Sequence, residues 1–409
     1  MQGKNKQLLR VIEKAIAMTL KRGDSVLLLG PRQTGKTTLS NKLLDRLPRK
    51  TEYYLQDPTM RLELEADPGK IIRQVEAISG HVTVFVDEAQ KIPELFDAAQ
   101  YLIDKKKANF ILTGSSARKL RRKGVNLLPG RINRFYLDPL SWAELGFIKE
   151  NIIRPLRMEN INKKANYSIE ETMVYGSLPG IVIAKESERA NRLRSYSEIY
   201  LEEEIRAEAL SRKIGSFSKF LELAAAESGT SPNFTKLSNE SGVSSPAIKE
   251  FYQILEDTLV VERIEPFLRN ARKRILSSPR YYFFDLGVRN ALARLPLSKN
   301  LVNAQKGILF EHAVILELTR RIRSLGKNYK IYYWRTSGGA EVDCVLDLGK
   351  EIIPIEIKYS KNVSSSDLKG LEIFLKDYRK LVRQAYVVTL DGRKEKIANK
   401  IIRIPWDEL

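Results

Sequence analysis

The sequence predicts an α/β protein with a parallel-sheet domain first, then a helical linker, a winged helix-turn-helix and a second α/β domain. Three observations predict it. Apolar, β-branched runs alternate with helical-period segments through the first 145 residues, as in a parallel sheet wrapped by helices. Two short helical segments separated by a glycine turn stand near the middle of the chain. A long helical segment followed by three strand-like runs closes it.

At 409 residues the chain exceeds what one hydrophobic core fills. We divide it into residues 1–145, a linker or lid over 146–212, a winged helix over 213–270 and a last domain over 271–409. No stretch reaches the ~18 apolar residues of a bilayer span. The charged, amphipathic N-terminus lacks the apolar core of a signal peptide, so a cytoplasmic protein without a membrane partner is expected. Cys344 is the single cysteine, which excludes an internal disulfide, and with only His81 and His312 beside it a structural zinc site is not expected. The formal net charge of +20 points to a polyanionic partner, with DNA the leading candidate.

In the first domain the apolar run 25–29 (SVLLL) leads into Gly30–Thr37 (GPRQTGKT), and a segment with helical leucine spacing follows. Strand, glycine loop and helix are the context that makes G-x-x-x-x-G-K-[ST] a phosphate-binding P-loop. Backbone N–H groups from Gly30, Pro31, Arg32, Gln33, Thr34, Gly35, Lys36, Thr37 and Thr38 surround the position of the phosphates, proline supplying only geometry. Lys36 is the side chain for the β- and γ-phosphates of ATP, and the Thr37 hydroxyl is a ligand for Mg²⁺.

A second buried run, Val82–Val86, ends in Asp87 and Glu88, a Walker B arrangement. Asp87 is assigned to the Mg²⁺ shell and Glu88 to the attacking water. A third run, Asn109–Leu112, meets Thr113-Gly-Ser-Ser, where Thr113 or Ser115 is either a γ-phosphate sensor or part of a turn and cap. The basic cluster 118–123 and the segment Leu128-Pro-Gly-Arg131 follow. They are read as a solvated face, a DNA-backbone patch or, for Arg131, an arginine finger reaching a neighbouring subunit.

In this order GPRQTGKT, VFVDEAQ, ILTGSS, LPGR and PLSWAEL resemble archaeal and bacterial AAA-type P-loop ATPases with a large C-terminal region of uncharacterised function. The resemblance covers residues 1 to about 145, with further motifs to about 360. It implies ATP hydrolysis. Tyr175–Gly180 (YGSLPG) matches the family's recurring segment after the ATPase core, whereas Glu203-Glu204 stands where Arg-Asp is frequent.

In the middle, residues 217–226 read as an amphipathic helix, 235–241 as a second, and 247–257 as a third that buries Ile248, Phe251, Ile254 and Leu255. Gly242 stops the second helix, and Pro246 fits the first turn of the third. A strand over 259–264 then supplies a wing with Arg272, Lys273 and Arg274 near its tip. Lys249, Gln253 and these three basic residues are the candidate DNA contacts, mainly to phosphate. A protein-binding winged helix is the alternative.

Toward the C-terminus a helix over 310–325 precedes strands at 331–334, 341–346 and 352–358. A hairpin turning at Gly349/Lys350 sets Asp343 opposite Glu356, with Lys358 on the same face as Glu356. Facing carboxylates repel, and a divalent cation or Lys358 relieves that. Helix, sheet and the set Asp343, Glu356-x-Lys358 resemble the PD-(D/E)xK restriction-endonuclease-like core. A metal site of Glu311, Asp343 and Glu356 with Lys358 is one expectation; a structural hairpin or a non-cleaving nuclease fold is the other. The sequence thus predicts a Mg²⁺-dependent ATPase that binds DNA and couples turnover to its remodelling or processing, as a homo-oligomer with a ring as one form. The alternatives are a nucleotide-dependent switch with a protein partner and a metal-dependent nuclease.

Overall fold

The computed structural model describes residues 8–115, 130–200, 214–268 and 278–409. The basic cluster 118–123, Glu203-Glu204 and the wing-tip residues Arg272, Lys273 and Arg274 lie outside them. The chain divides into two compact units, residues 1–139 with 257–260, and residues 140–256 with 261–409. The linker, winged-helix and C-terminal segments read separately from the sequence therefore group together. No helix among the described residues is long and apolar enough to cross a membrane.

The first unit runs α1 (Glu13–Lys21), β1 (Ser25–Leu29), α2 (Lys36–Leu44), β2 (Lys50–Tyr54), α3 (Pro58–Ala66), α4 (Lys70–Glu76), β3 (Val82–Asp87), α5 (Leu95–Asp104), β4 (Ala108–Gly114) and β5 (Ile132–Tyr136). The five strands are parallel in the order β2-β3-β4-β1-β5. Alternation along β1 explains its unbroken apolar run. Leu27 and Leu29 pack with Ile71 and Val75 of α4 and Phe96 and Leu102 of α5, whereas Val26 and Leu28 pack with Ile16 of α1 and Leu39 and Leu43 of α2. Both sheet faces are buried, so Val26 to Leu29 are all apolar, and the one polar residue, Ser25, accepts from Phe110 N–H at 3.0 Å. Each such side chain contributes roughly 1.5–3 kcal/mol. Because the strands are parallel, β1, β3 and β4 all end on one sheet edge, where the connecting loops gather.

The second unit begins with α6 (Trp142–Leu145), α7 (Ile169–Tyr175), α8 (Pro179–Val182), α9 (Glu186–Tyr200), α10 (Ile214–Ala226), α11 (Phe234–Ser241) and α12 (Ser245–Asp257). Then come β6 (Val261–Pro266), β7 (Arg280–Phe283), α13 (Leu286–Leu292), α14 (Lys299–Ser324), β8 (Lys330–Arg335), β9 (Glu341–Asp347) and β10 (Ile352–Lys358). It closes with α15 (Ser365–Asp377), β11 (Ala385–Thr389), β12 (Glu395–Ala398) and β13 (Ile401–Pro405).

Helices α10 to α12 fall where the sequence puts them. Asn233 caps α11 by accepting from Lys236 N–H, and Gly242 ends it at φ 71°, a left-handed conformation natural to glycine. The next strand does not form a free-standing wing. β6 pairs antiparallel with β7 on one side and parallel with β8 on the other, within the mixed sheet β12-β13-β11-β10-β9-β8-β6-β7. Sequence periodicity identifies a strand but not its second neighbour.

The YGSLPG segment has a structural explanation. Asp285 is fully buried, accepts from Ser177 N–H at 2.7 Å and caps α13 through Val288 N–H. A Cβ at Gly176 would fall onto that carboxylate, and one at Gly287 would fall onto the Tyr175 carbonyl. The two glycines let two backbone segments interlock.

Candidate functional site

The edge of the first unit's sheet holds a cleft of about 590 Å³, lined by Arg32, Gln33, Gly35, Lys36, Thr37 and Thr38 of the loop with Gln56, Glu88 and Lys91 opposite. The loop's geometry follows from its residues. Gly35 begins α2 at φ 94°, and Gln33 also takes a positive φ of 61°. Thr34 is buried and donates to Pro31 O at 2.9 Å, bracing the turn from inside. Gly30 has no room for a side chain, since a Cβ would meet Leu137 O. Buried Lys36 folds back to donate to Gly30 O and Pro31 O, each at 2.9 Å.

Across the cleft mouth the Thr37 hydroxyl lies 3.1 and 3.2 Å from the two Asp87 carboxylate oxygens. Burial raises the Asp87 pKa above the ordinary carboxylate range, and a Thr113 hydrogen bond opposes the shift. Thr113 donates to Asp87 Oδ1 at 2.5 Å and accepts from Glu88 N–H at 3.0 Å. Thr113 thereby braces the acidic pair. Glu88 takes φ 58°, ψ 44°, a left-handed conformation that costs a non-glycine residue roughly 1–3 kcal/mol. Its Oε2 accepts from Gln90 Nε2 at 2.5 Å and Ser115 Oγ at 3.1 Å.

Hard oxygen donors at Thr37 and Asp87, a buried ammonium and a helix N-terminus fit a Mg²⁺–nucleotide. Mg²⁺ ordinarily takes only one or two protein oxygens and completes its shell with phosphate and water.

Sequence reasoning missed Arg10, Gln56, Gln90 and Lys91. Arg10 donates to Thr34 O and Asp138 O, each at 2.6 Å, tying the loop to the chain beyond β5. Nothing in the local sequence signals this, because the contacts span 24 and 128 residues. Gln90 and Lys91 did carry a signal: they follow Asp87-Glu88 after one alanine, and a 3₁₀ turn over Ala89–Lys91 brings the third residue back beside Glu88. Arg131 is not brought to this cleft. It precedes β5 beside the opening residue of β1, at the opposite sheet edge, and pairs with Asp104 at 2.6 Å. Any finger role is confined to a second subunit's site.

In the second unit Lys249 and Gln253 are exposed on α12, while Ile248, Phe251, Ile254 and Leu255 are buried. The Lys249 ammonium lies 5.5 Å from the Phe234 ring centroid. The β9–β10 register runs from Ile352↔Asp347 to Ile355↔Cys344, the count expected for a turn at Gly349/Lys350. Lys358 pairs with Glu356 at 2.8 Å.

Among the described residues no three His, Cys, Asp or Glu side chains are placed to hold an ion. Glu311 accepts from Tyr282 Oη and Asp343 from Ile357 N–H, each at 2.8 Å. Burial, then the Asp343 charge, raises the pKa values of Glu311 and Glu356; burial does the same to Asp343. A cavity of about 640 Å³ elsewhere in this unit, with Ser197, Leu221 and Leu292 in its wall, carries an Arg294–Glu222 ion pair at 3.0 Å. It gathers none of the residues singled out above.

Residues 22–146 match the family model described as an AAA domain. The first unit carries an AAA-type P-loop domain. Beyond this AAA domain, residues 166–299 and 306–409 match two models, each described as a domain of unknown function (DUF8612 and DUF4143). Their boundary falls at Gln305, where α14 departs from helical geometry at φ −131°, ψ 26°. The uncharacterized proteins Mb2031c of Mycobacterium bovis and Rv2008c of Mycobacterium tuberculosis are each 26% identical over 397 residues, 95% of this chain and 82% of theirs. Among solved structures, the Walker-type ATPase PABY2304 of Pyrococcus abyssi is a looser likeness, at 16% identity and TM-score 0.46 over 68% of this chain and 94% of that one.

Proposed function

We propose that the chain hydrolyses ATP with Mg²⁺ in the P-loop cleft and couples turnover to the remodelling or processing of DNA. One observation carries the hydrolytic reading: Lys36, Thr37 and Glu88 line a single cleft, with Asp87 in hydrogen-bond contact with Thr37. In this reading Lys36 leaves the Gly30 and Pro31 carbonyls for the terminal phosphates. Thr37 and Asp87 hold Mg²⁺, which neutralises phosphate charge. Glu88 orients a water and takes its proton. Gln90 and Ser115 keep the carboxylate from swinging.

The DNA part is supported by the +20 charge and the exposed face of α12 with Lys249 and Gln253. Metal-dependent cleavage by the second unit is a separate reading that rests on Asp343, Glu356 and Lys358, with Lys358 2.8 Å from Glu356. The test is steady-state ATPase activity with single-stranded, duplex and branched DNA, in wild type and Lys36→Ala. Turnover absent from Lys36→Ala and altered by one DNA form is the expected result. Wild-type turnover no higher than Lys36→Ala removes hydrolysis. No response to any DNA, with no salt-dependent DNA binding, removes the DNA partner; a single stoichiometric protein captured in its place supports the switch.

A further inference from the structure

The P-loop motif accounts for one wall of the cleft; the other carries a lysine that the motif leaves unexplained. Lys91 lines the cleft opposite Lys36, beside Glu88 and Gln56. Its position is set by the backbone: its N–H donates to Glu88 O at 2.9 Å, closing the 3₁₀ turn over Ala89–Lys91. The Lys91 and Glu88 side chains both line the cleft.

The lysine stem reaches Leu55 O, to which the ammonium donates at 3.2 Å. Leu55 N–H in turn donates to Asp87 O at 3.4 Å, which places this ammonium at the ends of β2 and β3. Lys36 serves β1 from the other side of β4. The two lysines therefore bracket Asp87 and Glu88.

The charge around Lys91 is unusual for a structural lysine. It makes no carboxylate salt bridge, and among the described residues Leu55 O is its hydrogen-bond partner. An ammonium has three donors, so two remain for the cleft. Burial holds its pKa below the ordinary lysine range; Glu88 opposes that shift, while Arg61 and Arg32 add to it. Lys91 and, on the loop wall, Arg32 and Lys36 thus line one cleft with cationic side chains suited to an anionic ligand.

We infer that Lys91 is a phosphate-contacting residue that reads the terminal phosphate of the nucleotide from the wall opposite the P-loop. It thereby distinguishes nucleoside triphosphate from diphosphate within one subunit. The inference rests on the ATPase reading and deepens it. It adds to Lys36 a second cation of the same chain at the transferred phosphate, from the other wall of the cleft.

The test is binding, read by calorimetry without turnover, of Mg²⁺ with ADP and with a β,γ-methylene ATP analogue to wild type, Lys91→Met and Lys91→Arg. Loss of a charge-assisted hydrogen bond is worth about tenfold to a hundredfold in affinity. Lys91→Met is expected to weaken the triphosphate analogue by that factor and leave ADP within about twofold, with Lys91→Arg recovering most of the loss. Equal weakening of both nucleotides overturns the inference, because Lys91 then supports the cleft as a whole. Unchanged binding of both also overturns it. Thermal midpoints of both variants identify a folding defect, and selective triphosphate weakening survives that control because an unfolded fraction affects both nucleotides alike. Wild type that binds neither nucleotide sinks the ATPase reading itself, a different outcome from either failure of Lys91.

Discussion

The Thr113 hydroxyl donates to the Asp87 carboxylate at 2.5 Å while accepting from the Glu88 backbone N–H at 3.0 Å. One side chain on β4 thus fixes both acidic residues of the neighbouring strand. The arrangement requires β4 to lie between β1 and β3, and it does.

Thr113→Val keeps the shape and removes the donor. Asp87 then loses the hydrogen bond that opposes its raised pKa. Outer-shell changes of this kind typically cost about tenfold to a hundredfold in metal affinity or activity. Mg²⁺ titration of ATPase activity is expected to show a higher half-saturating concentration. A curve that overlays wild type would show that Thr113 does not support the ion.

Lys36→Ala and Glu88→Gln are expected to fail differently. Removing Lys36 abolishes phosphate binding, whereas Glu88→Gln keeps nucleotide affinity and lowers kcat by about 10²–10⁴, the range of a lost general base. The Gln90 and Ser115 hydrogen bonds to Glu88 make Gln90→Ala an intermediate case, lower in kcat with KM retained. Equal kcat for Glu88→Gln and wild type removes Glu88 from the chemistry.

Arg10→Ala removes two buried hydrogen bonds, to Thr34 O and Asp138 O. Each carbonyl left unsatisfied costs about 1–3 kcal/mol. Both a lower thermal midpoint and weaker nucleotide binding are expected, since Thr34 braces the loop from inside. Loss of stability with unchanged affinity would confine Arg10 to the fold.

The C-terminal carboxylates give a pH prediction. Glu356 has a folded pKa raised by burial and by Asp343. A carboxyl raised in this way keeps its proton in the folded chain after the unfolded chain has released it. Its contribution to stability is therefore full below the unfolded value of about 4.3 and is lost as pH rises through the folded one. The thermal midpoint of wild type should fall between pH 5 and pH 8 more steeply than that of Glu356→Gln. Equal slopes for the two proteins would exclude Glu356 as the source.

Much of this was legible in the sequence for local reasons. The P-loop is contiguous, its glycines answer to backbone geometry at their own positions, and β1 reads as a strand because both its faces are buried. The β9–β10 register followed from counting about a turn, since side chains alternate at every residue. The hairpin did not reveal whether the carboxylates face an ion. Nor did it reveal that Tyr282, on a strand about 60 residues earlier, donates to Glu311.

By itself, then, the sequence determined a P-loop with an acidic pair at the end of a second buried strand, a three-helix segment in the middle, and the register of the β9–β10 hairpin. Tertiary structure alone decided four other matters: that Thr113 braces Asp87, that Arg10 holds the loop, that Arg131 lies at the far sheet edge, and that β6 joins a larger sheet. The physical reason is range. Motifs and periodicities record what the backbone imposes within a few residues, whereas these four relationships are made by side chains and strand neighbours that only the completed sheets bring together.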